Sequence, residues 1–298
     1  MMRSAVYSFD HGATHASELA ETLGINLSRI DVHVFPDGES RVRVSAPART
    51  ALVYCPLDRP NGKLVELMLA VDALRRGGAE RLILVAPYLC YMRQDKAFHE
   101  GEAVSQQAVA RLLSALFDRI VTVDAHLHRV SSVSEVFPQI EAENLFAAET
   151  IAHFAARQGL AGQCVVVGPD EESAQWVARV ADVLNAPSFT GRKIRRGDRD
   201  VEISFGEEID VKGKAVLVAD DIVSSGGTIL SAIAAMRDRG ASSVHVAITH
   251  ALFDDAVFER MMFSGAERVW STTSVPHPTN AISLAALLSN ALRRELSE

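Results

Sequence analysis

Cysteine is scarce: Cys55, Cys90 and Cys164 are scattered along 298 residues and form neither a metal-type pair nor an even disulfide set. They read as small core residues in a protein of the reducing cytoplasm. No apolar run approaches the roughly 20 residues needed to cross a bilayer. The longest such stretch, Leu82 to Met92, falls far short, and Met1 to His15 carries no signal-type apolar core, so export and membrane insertion are not expected. Basic charge is also in short supply. Lys and Arg total 30 against 38 Asp and Glu, a net charge of −8, which excludes a general nucleic-acid binder because phosphate-backbone affinity needs a basic face. Lysine is the rarer cation, with five residues against 25 arginines.

What is present is ordinary globular material. Hydrophobic residues make up 48% and charged residues 23%, which argues against a disordered, collagen-like or disulfide-stapled chain. The length suits two α/β-sized domains. Short Val/Ile/Leu-rich runs recur at Ala51 to Cys55, Arg81 to Ala86, Ile120 to Val123, Cys164 to Val167, Ala215 to Val218, Val244 to Ile248 and Arg268 to Ser271. Such runs read as buried parallel strands. Between them, apolar residues at helical spacing (Leu64, Leu67, Met68, Val71, Leu74; Leu112, Leu113, Leu116) predict crossover helices. The expected fold is therefore α/β, with mostly parallel sheets flanked by helices and ligands bound outside the carboxyl ends of the strands.

The chain also repeats itself. A shift of 162 residues sets Ala73-Leu74-Arg75-Arg76 and Gly78-Ala79 over Ala235-Met236-Arg237-Asp238 and Gly240-Ala241, and Asp58 over Asp220. Two similar domains are expected, 1–143 and 144–298. Their boundary falls near Ala142 to Asn144, before a helix over Leu145 to Arg157, and the last helix is expected to pack back on the first domain.

One loop stands out chemically. Val216-Leu217-Val218-Ala219 is followed by Asp220-Asp221-Ile222-Val223-Ser224-Ser225-Gly226-Gly227-Thr228, a strand, two carboxylates, then a Ser/Gly loop opening a helix. Glycines let backbone N–H groups turn inward as an anion nest, the helix N-terminus adds partial positive charge, and the hydroxyls donate, so the loop suits a phosphate monoester. Asp220 and Asp221 can accept hydrogen bonds from sugar hydroxyls. Capping the helix would need one such residue, whereas the loop holds seven.

This loop resembles the 5-phosphoribosyl-diphosphate motif of the type I phosphoribosyltransferase fold. Phe35-Pro36-Asp37-Gly38-Glu39, Arg93-Gln94-Asp95-Lys96, Asp124-Ala125-His126 and Lys193-Ile194-Arg195 follow the order and spacing of the ribose-phosphate diphosphokinase family, and the likeness covers nearly the whole chain. It implies two tandem phosphoribosyltransferase-like domains and Mg²⁺-dependent transfer of the diphosphoryl group of ATP to ribose 5-phosphate. By this resemblance Phe35, Asp37, Glu39, Arg93, Gln94, Asp95 and Lys96 bind ATP, and Asp220, Asp221, Ser224, Ser225, Gly226, Gly227 and Thr228 bind ribose 5-phosphate. His126 and Asp170 are implied as Mg²⁺ ligands. Lys193 and Arg195 lie in a loop closing over the transferring group. Phe35 to Glu39 is implied to reach the ATP site of a neighbouring subunit, making the protein a dimer-based homo-oligomer. His128 has no family counterpart.

The stretch Arg192 to Asp200 carries five cations and two carboxylates, a local +3 on an otherwise acidic chain. Two places depart from the family pattern. Glu171-Glu172-Ser173 follows Asp170 where small residues are common, and Ser224-Ser225 stands where most members have Asp-Thr. Two other functions share the phosphate loop: a phosphoribosyltransferase, which leaves the N-terminal nucleotide motifs unexplained, and a non-catalytic regulatory relative.

Overall fold

In the first unit, β1 (Ser4–Ser8), α1 (Ala13–Leu23), β2 (Asn26–Val34), β3 (Ser40–Val44), β4 (Thr50–Tyr54), α2 (Pro60–Arg76), β5 (Arg81–Ala86), α3 (Ser105–Leu116), β6 (Arg119–Val123), α4 (Val133–Val136) and β7 (Glu141–Leu145) build one sheet with its helices. The second unit contains α5 (Ala148–Arg157), β8 (Cys164–Gly168), α6 (Ala174–Leu184), β9 (Ser188–Thr190), β10 (Arg192–Arg195), β11 (Val201–Ser204), β12 (Ala215–Val223), α7 (Gly227–Asp238), β13 (Ser243–Ala251), α8 (Asp255–Phe263), β14 (Arg268–Thr272) and β15 (Asn280–Ile282). The chain then returns to the first unit with α9 (Ala285–Leu292) and a short 3-10 turn, Arg293–Leu296. This computed structural model describes residues 3–127, 130–195, 201–206 and 209–296, with backbone alone at 193–195 and 201–203.

Compact packing divides the chain into Met1–Leu145 with Ser274–Pro276 and Leu284–Glu298, and Phe146–Thr273 with His277–Ser283. The first sheet runs β3-β2-β1-β4-β5-β6-β7, parallel except for the antiparallel pair β2–β3. The second runs β15-β14-β13-β12-β8-β9, all parallel, with β10 and β11 as a separate antiparallel pair. Strands such as Leu82, Ile83, Leu84, Val85 and Ala86 are buried on both faces, as continuous apolar runs require. Helix α2 turns Leu67, Ala70, Val71 and Leu74 inward. Each such leucine contributes about 1.5–3 kcal/mol by leaving water. Among the described residues, no helix is long and apolar enough to cross a membrane.

Two local expectations need correction. The stretch expected at the boundary, Ala142, Glu143 and Asn144, is the middle of β7, paired with Ile120, Val121 and Thr122, and the units divide just after it, at Leu145. Helix α5 accordingly begins at Ala148 rather than Leu145. The strand was hidden because Glu-Ala-Glu-Asn-Leu is a half-solvated edge without an apolar run.

Both units follow the same path. One strand–helix–strand step runs toward one edge (β1 to β2, β8 to β9), and the remaining strands run toward the other from β4 and from β12. The order reverses between β1 and β4 and between β8 and β12, the position where α/β sheets bind ligands. Strand register refines the internal repeat. Thr50 pairs with Arg81 and Ala215 with Ser243, so Thr50 corresponds to Ala215, and Cys55 stands level with Asp220. Asp58 does not, because the first unit spends three more residues between that strand and the end of its helix. Helix α2 is 17 residues long and α7 is 12, so part of what the second unit leaves as an open loop is coiled into α2.

Candidate active site

The phosphate-type loop leaves β12 at Val223 and opens α7 at Gly227. Gly226 has φ 78° and ψ −2°, the left-handed region, and a Cβ there would come within 2.6 Å of Val257 Cγ1. Glycine is therefore required twice over. The N-cap residue Gly226 has no side chain with which to cap α7, which leaves the first N–H groups of the helix available to an anion. Ser224, Ser225 and Gly227 are exposed and Thr228 is half-buried, while Asp220 is buried just upstream. The Asp220 carboxylate accepts the Asp221 N–H at 3.0 Å.

Asp170 follow β8, the parallel neighbour of β12, so the sheet brings Asp170 to the same strand ends as Asp220 to Thr228. Its Oδ1 accepts the Glu172 N–H at 3.1 Å and its carbonyl accepts the Ser173 hydroxyl at 2.6 Å. That compact turn is what the unusual Glu-Glu-Ser segment forms. Ser173 lies beneath Gly168, where a Cβ would stand 2.1 Å from its Oγ. Both glutamates are exposed, and Glu171 faces Arg192 at 3.5 Å. Lys193 and Arg195 lie on β10, opposite Ile203 and Val201. The roles expected of their side chains fall outside the described atoms, as do Arg196 to Asp200, His128 and Arg129.

In the first unit, Arg93 to Lys96 follow β5, and Asp124 to His126 follow its parallel neighbour β6, so these two motifs share adjacent strand ends. Tyr91 (φ 61°) and Asp124 (φ 41°) both hold left-handed backbone, a strained state for such residues that turns the chain sharply just before Arg93 and at the first residue of the Asp124 to His126 motif. The Tyr91 hydroxyl donates to Asn61 Oδ1. The Ala125 N–H donates to Asn144 Oδ1 at 2.8 Å, holding the turn from which His126 projects. Arg93 and Lys96 are exposed, and Gln94 and Asp95 are half-buried. Gln94 faces inward chemically: its Oε1 accepts from the Ser105 hydroxyl and its carbonyl accepts the Gln106 N–H at 3.1 Å. It thus fastens the loop to the start of α3. Farther along, Glu102 Oε2 accepts the N–H groups of Phe98 at 2.8 Å and His99 at 3.1 Å, and the Lys96 ammonium rests 5.1 Å from the Phe98 ring centroid.

Phe35 to Glu39 form the tip of the β2–β3 hairpin. Phe35 N–H donates to the Glu39 carbonyl at 2.8 Å, Glu39 N–H donates to Asp37 Oδ1 at 3.1 Å, and Gly38 (φ 90°) closes the turn. Phe35, Asp37 and Glu39 are all exposed. Strands β1 and β4 stand between this hairpin and β5 in the sheet, so the two motifs do not leave neighbouring strands. Sequence reasoning assigned no role to Asn144, which bonds a backbone group of the Asp124 to His126 motif, or to Glu102, which bonds the backbone just beyond Arg93 to Lys96.

Parallel sheets carrying a Ser/Gly phosphate loop at the reversal of strand order define a phosphoribosyltransferase-type protein. The family of the N-terminal domain of ribose phosphate pyrophosphokinase matches residues 5–116, and the phosphoribosyl transferase domain family matches residues 139–271. A ribose-phosphate pyrophosphokinase of Methanopyrus kandleri is 35% identical over 289 residues, spanning 96% of this chain and 98% of the relative. One of Pyrococcus furiosus is 32% identical over 283 residues, spanning 94% and 98%. The crystal structure of phosphoribosylpyrophosphate synthetase from Mycobacterium smegmatis superposes with a TM-score of 0.84 at 28% identity, covering 99% of both chains. The chain belongs to the ribose-phosphate pyrophosphokinase family, enzymes that transfer a diphosphate group.

Proposed function

We propose that this enzyme transfers the diphosphoryl group of ATP to the C1 hydroxyl of ribose 5-phosphate, giving 5-phosphoribosyl 1-diphosphate and AMP. The observation carrying the sugar-phosphate half is the uncapped α7 N-terminus behind the open Ser224 to Thr228 loop, with Asp220 and Asp170 at adjacent strand ends. In this reading the loop binds the 5-phosphate, and Asp220 and Asp221 orient the ribose hydroxyls. Arg93, Gln94, Asp95 and Lys96 bind the nucleotide from one chain, and Phe35, Asp37 and Glu39 bind it from a second copy in a dimer-based homo-oligomer. The hairpin's exposure, and its separation from the β5 loop by two intervening strands, support that division.

The reaction is positioning plus charge stabilisation. The C1 hydroxyl oxygen bonds to the β-phosphorus, the bond from that phosphorus to the oxygen bridging the α-phosphate breaks, AMP leaves with the electron pair, and the hydroxyl proton is released. Lys193 and Arg195 neutralise charge on the transferring group. Among the described residues, no three His, Cys, Asp or Glu side chains are gathered to hold a metal. By the family motifs Asp170 and His126 would each be a single protein ligand to Mg²⁺, an ion that commonly takes few such ligands. The Asp170 carboxylate suits a hard cation, whereas an imidazole is the less typical donor. Bound Mg²⁺ supplies neutralisation of polyphosphate charge.

A ³¹P NMR time course of the protein with ATP, Mg²⁺ and ribose 5-phosphate tests the proposal. The expected result is AMP appearing together with a sugar diphosphate. No AMP in that mixture, with diphosphate released only when 5-phosphoribosyl 1-diphosphate and a free base are supplied in its place, would mark a phosphoribosyltransferase instead.

A further inference from the structure

The phosphate loop is held from behind by α8, a helix that carries none of the assigned site residues. The Arg260 guanidinium donates through Nη2 to the Ser225 carbonyl at 3.1 Å. One turn earlier on the same helix, Val257 packs against Gly226, where a Cβ would lie 2.6 Å from Val257 Cγ1. The start of the helix is fixed in turn by Asp254, whose Oδ1 accepts the Val257 N–H at 3.0 Å. The Leu252 N–H donates to the Val223 carbonyl at 2.9 Å, joining the exit of β13 to the end of β12. Val223, Ser225 and Gly226 are thus fastened from one side.

The direction of the Arg260 contact matters more than its strength. In a planar trans peptide the C=O and N–H point in opposite directions. Holding the Ser225 carbonyl toward Arg260 therefore aims the Gly226 N–H away from α8. Gly226 is the residue whose backbone could most easily let that peptide flip, since glycine populates both signs of φ. A flipped peptide would present a carbonyl oxygen where an anion nest needs a donor.

We infer that Arg260 is a positioning residue for the sugar phosphate, locking the Ser225–Gly226 peptide in its donor-inward orientation. This rests on the reading that the 224–228 loop binds ribose 5-phosphate. Because Arg260 engages the main chain, the lock is indifferent to the side chain at 225, and a serine there leaves it intact.

The test compares Arg260→Met and Arg260→Gln with Thr228→Val in the full-length enzyme. It measures KM for each substrate, ribose 5-phosphate affinity by calorimetry, and Tm. Arg260→Met should raise the ribose 5-phosphate KM and dissociation constant about fivefold or more, the scale of one lost hydrogen bond to a site-forming group. The ATP KM should stay within twofold and Tm should hold. The ribose 5-phosphate effect should persist at 0.5 M salt, since a geometric lock is not screened as a bare charge is. Arg260→Gln serves the same comparison should Arg260→Met fail to fold. Unchanged ribose 5-phosphate binding in both Arg260 variants, with Thr228→Val weakening it, overturns the lock. Equal rises in both KM values with a fallen Tm also overturn it, as a merely structural role. If Thr228→Val likewise leaves ribose 5-phosphate binding unchanged, the reading of the loop itself fails.

Discussion

Arg119 and Glu295, 176 residues apart, meet in the interior of the first unit: Nη1 of an arginine only 1% exposed donates to Oε1 of a glutamate 4% exposed, at 2.8 Å. The same guanidinium donates to Glu143 and to the Ala291 carbonyl, and Arg81 Nε donates to the other oxygen of Glu295 at 2.6 Å. The 3-10 turn after α9 is thereby clamped to the amino ends of β5 and β6. Removing one partner of a buried pair leaves an uncompensated charge, so Glu295→Ala should destabilise the protein by about 3–5 kcal/mol. Urea unfolding followed by circular dichroism measures it, and a loss below about 1 kcal/mol would contradict the clamp.

Acid should weaken the same unit through His11. Burial, chiefly, and the Lys63 ammonium push its pKa down from 6.5 to about 4, with Asp58 and Asp10 opposing in part. It stacks on Phe9, and its Nε2 lies 3.6 Å from Cys55 Sγ. Between pH 6.5 and 4 the unfolded chain binds a proton that the folded chain does not, so stability falls as pH drops through that window. Allowing for partial exposure, the loss is on the order of 1 kcal/mol. Glu295 acts in the same sense at lower pH: burial raises its pKa, but bonds from Arg81 and Arg119 outweigh this and hold it below the ordinary carboxyl value. His11→Asn should flatten the slope of Tm against pH between 6.5 and 4, and an unaltered slope would discount the histidine.

Glu102 should matter to ATP without touching it. Its carboxylate gathers the Phe98 and His99 N–H groups, which fixes the ring beneath the Lys96 ammonium. Hydrogen bonds to a charged acceptor are worth roughly 1.5–3 kcal/mol each. Glu102→Ala is expected to raise the ATP KM about tenfold while leaving the ribose 5-phosphate KM near wild type. Equal changes in both would point to general damage rather than a loop brace.

How much of this was legible in sequence follows from how local each feature is. The 220–228 loop puts all seven of its chemical residues in one contiguous stretch, and the strands between Arg81 and Ala86 or Ala215 and Val218 are buried apolar runs. Arg260 lies 35 residues beyond Ser225 and reaches it only because β13 returns alongside β12, which no spacing in the chain announces. The internal repeat was visible, but its register was read from the helix ends, where the identities are. Backbone pairing moves the correspondence in the preceding strand by three residues, from Asp58 to Cys55. The edge strand β7 went unseen because a half-solvated edge carries polar residues.

The proposed division of the nucleotide site between two copies makes a prediction that neither copy alone can satisfy by accident. Lys193→Ala should lower kcat on the order of 10³-fold, as loss of a cation acting on the transferring group does. A Phe35→Ala, Glu39→Ala double variant should lose nucleotide binding because the exposed hairpin tip no longer serves its neighbour. If hairpin and Lys193 contribute to one site from different chains, unfolding and refolding the two inactive proteins together creates mixed dimers in which one site keeps both intact elements. Activity per mixed dimer should recover to about half the wild-type value, by simple counting of sites, and size-exclusion chromatography with light scattering should show the same assembly throughout. Co-refolded mixtures as inactive as the separate variants, despite demonstrated mixing of differently tagged chains, would place hairpin and Lys193 in the same chain's site and refute the shared arrangement.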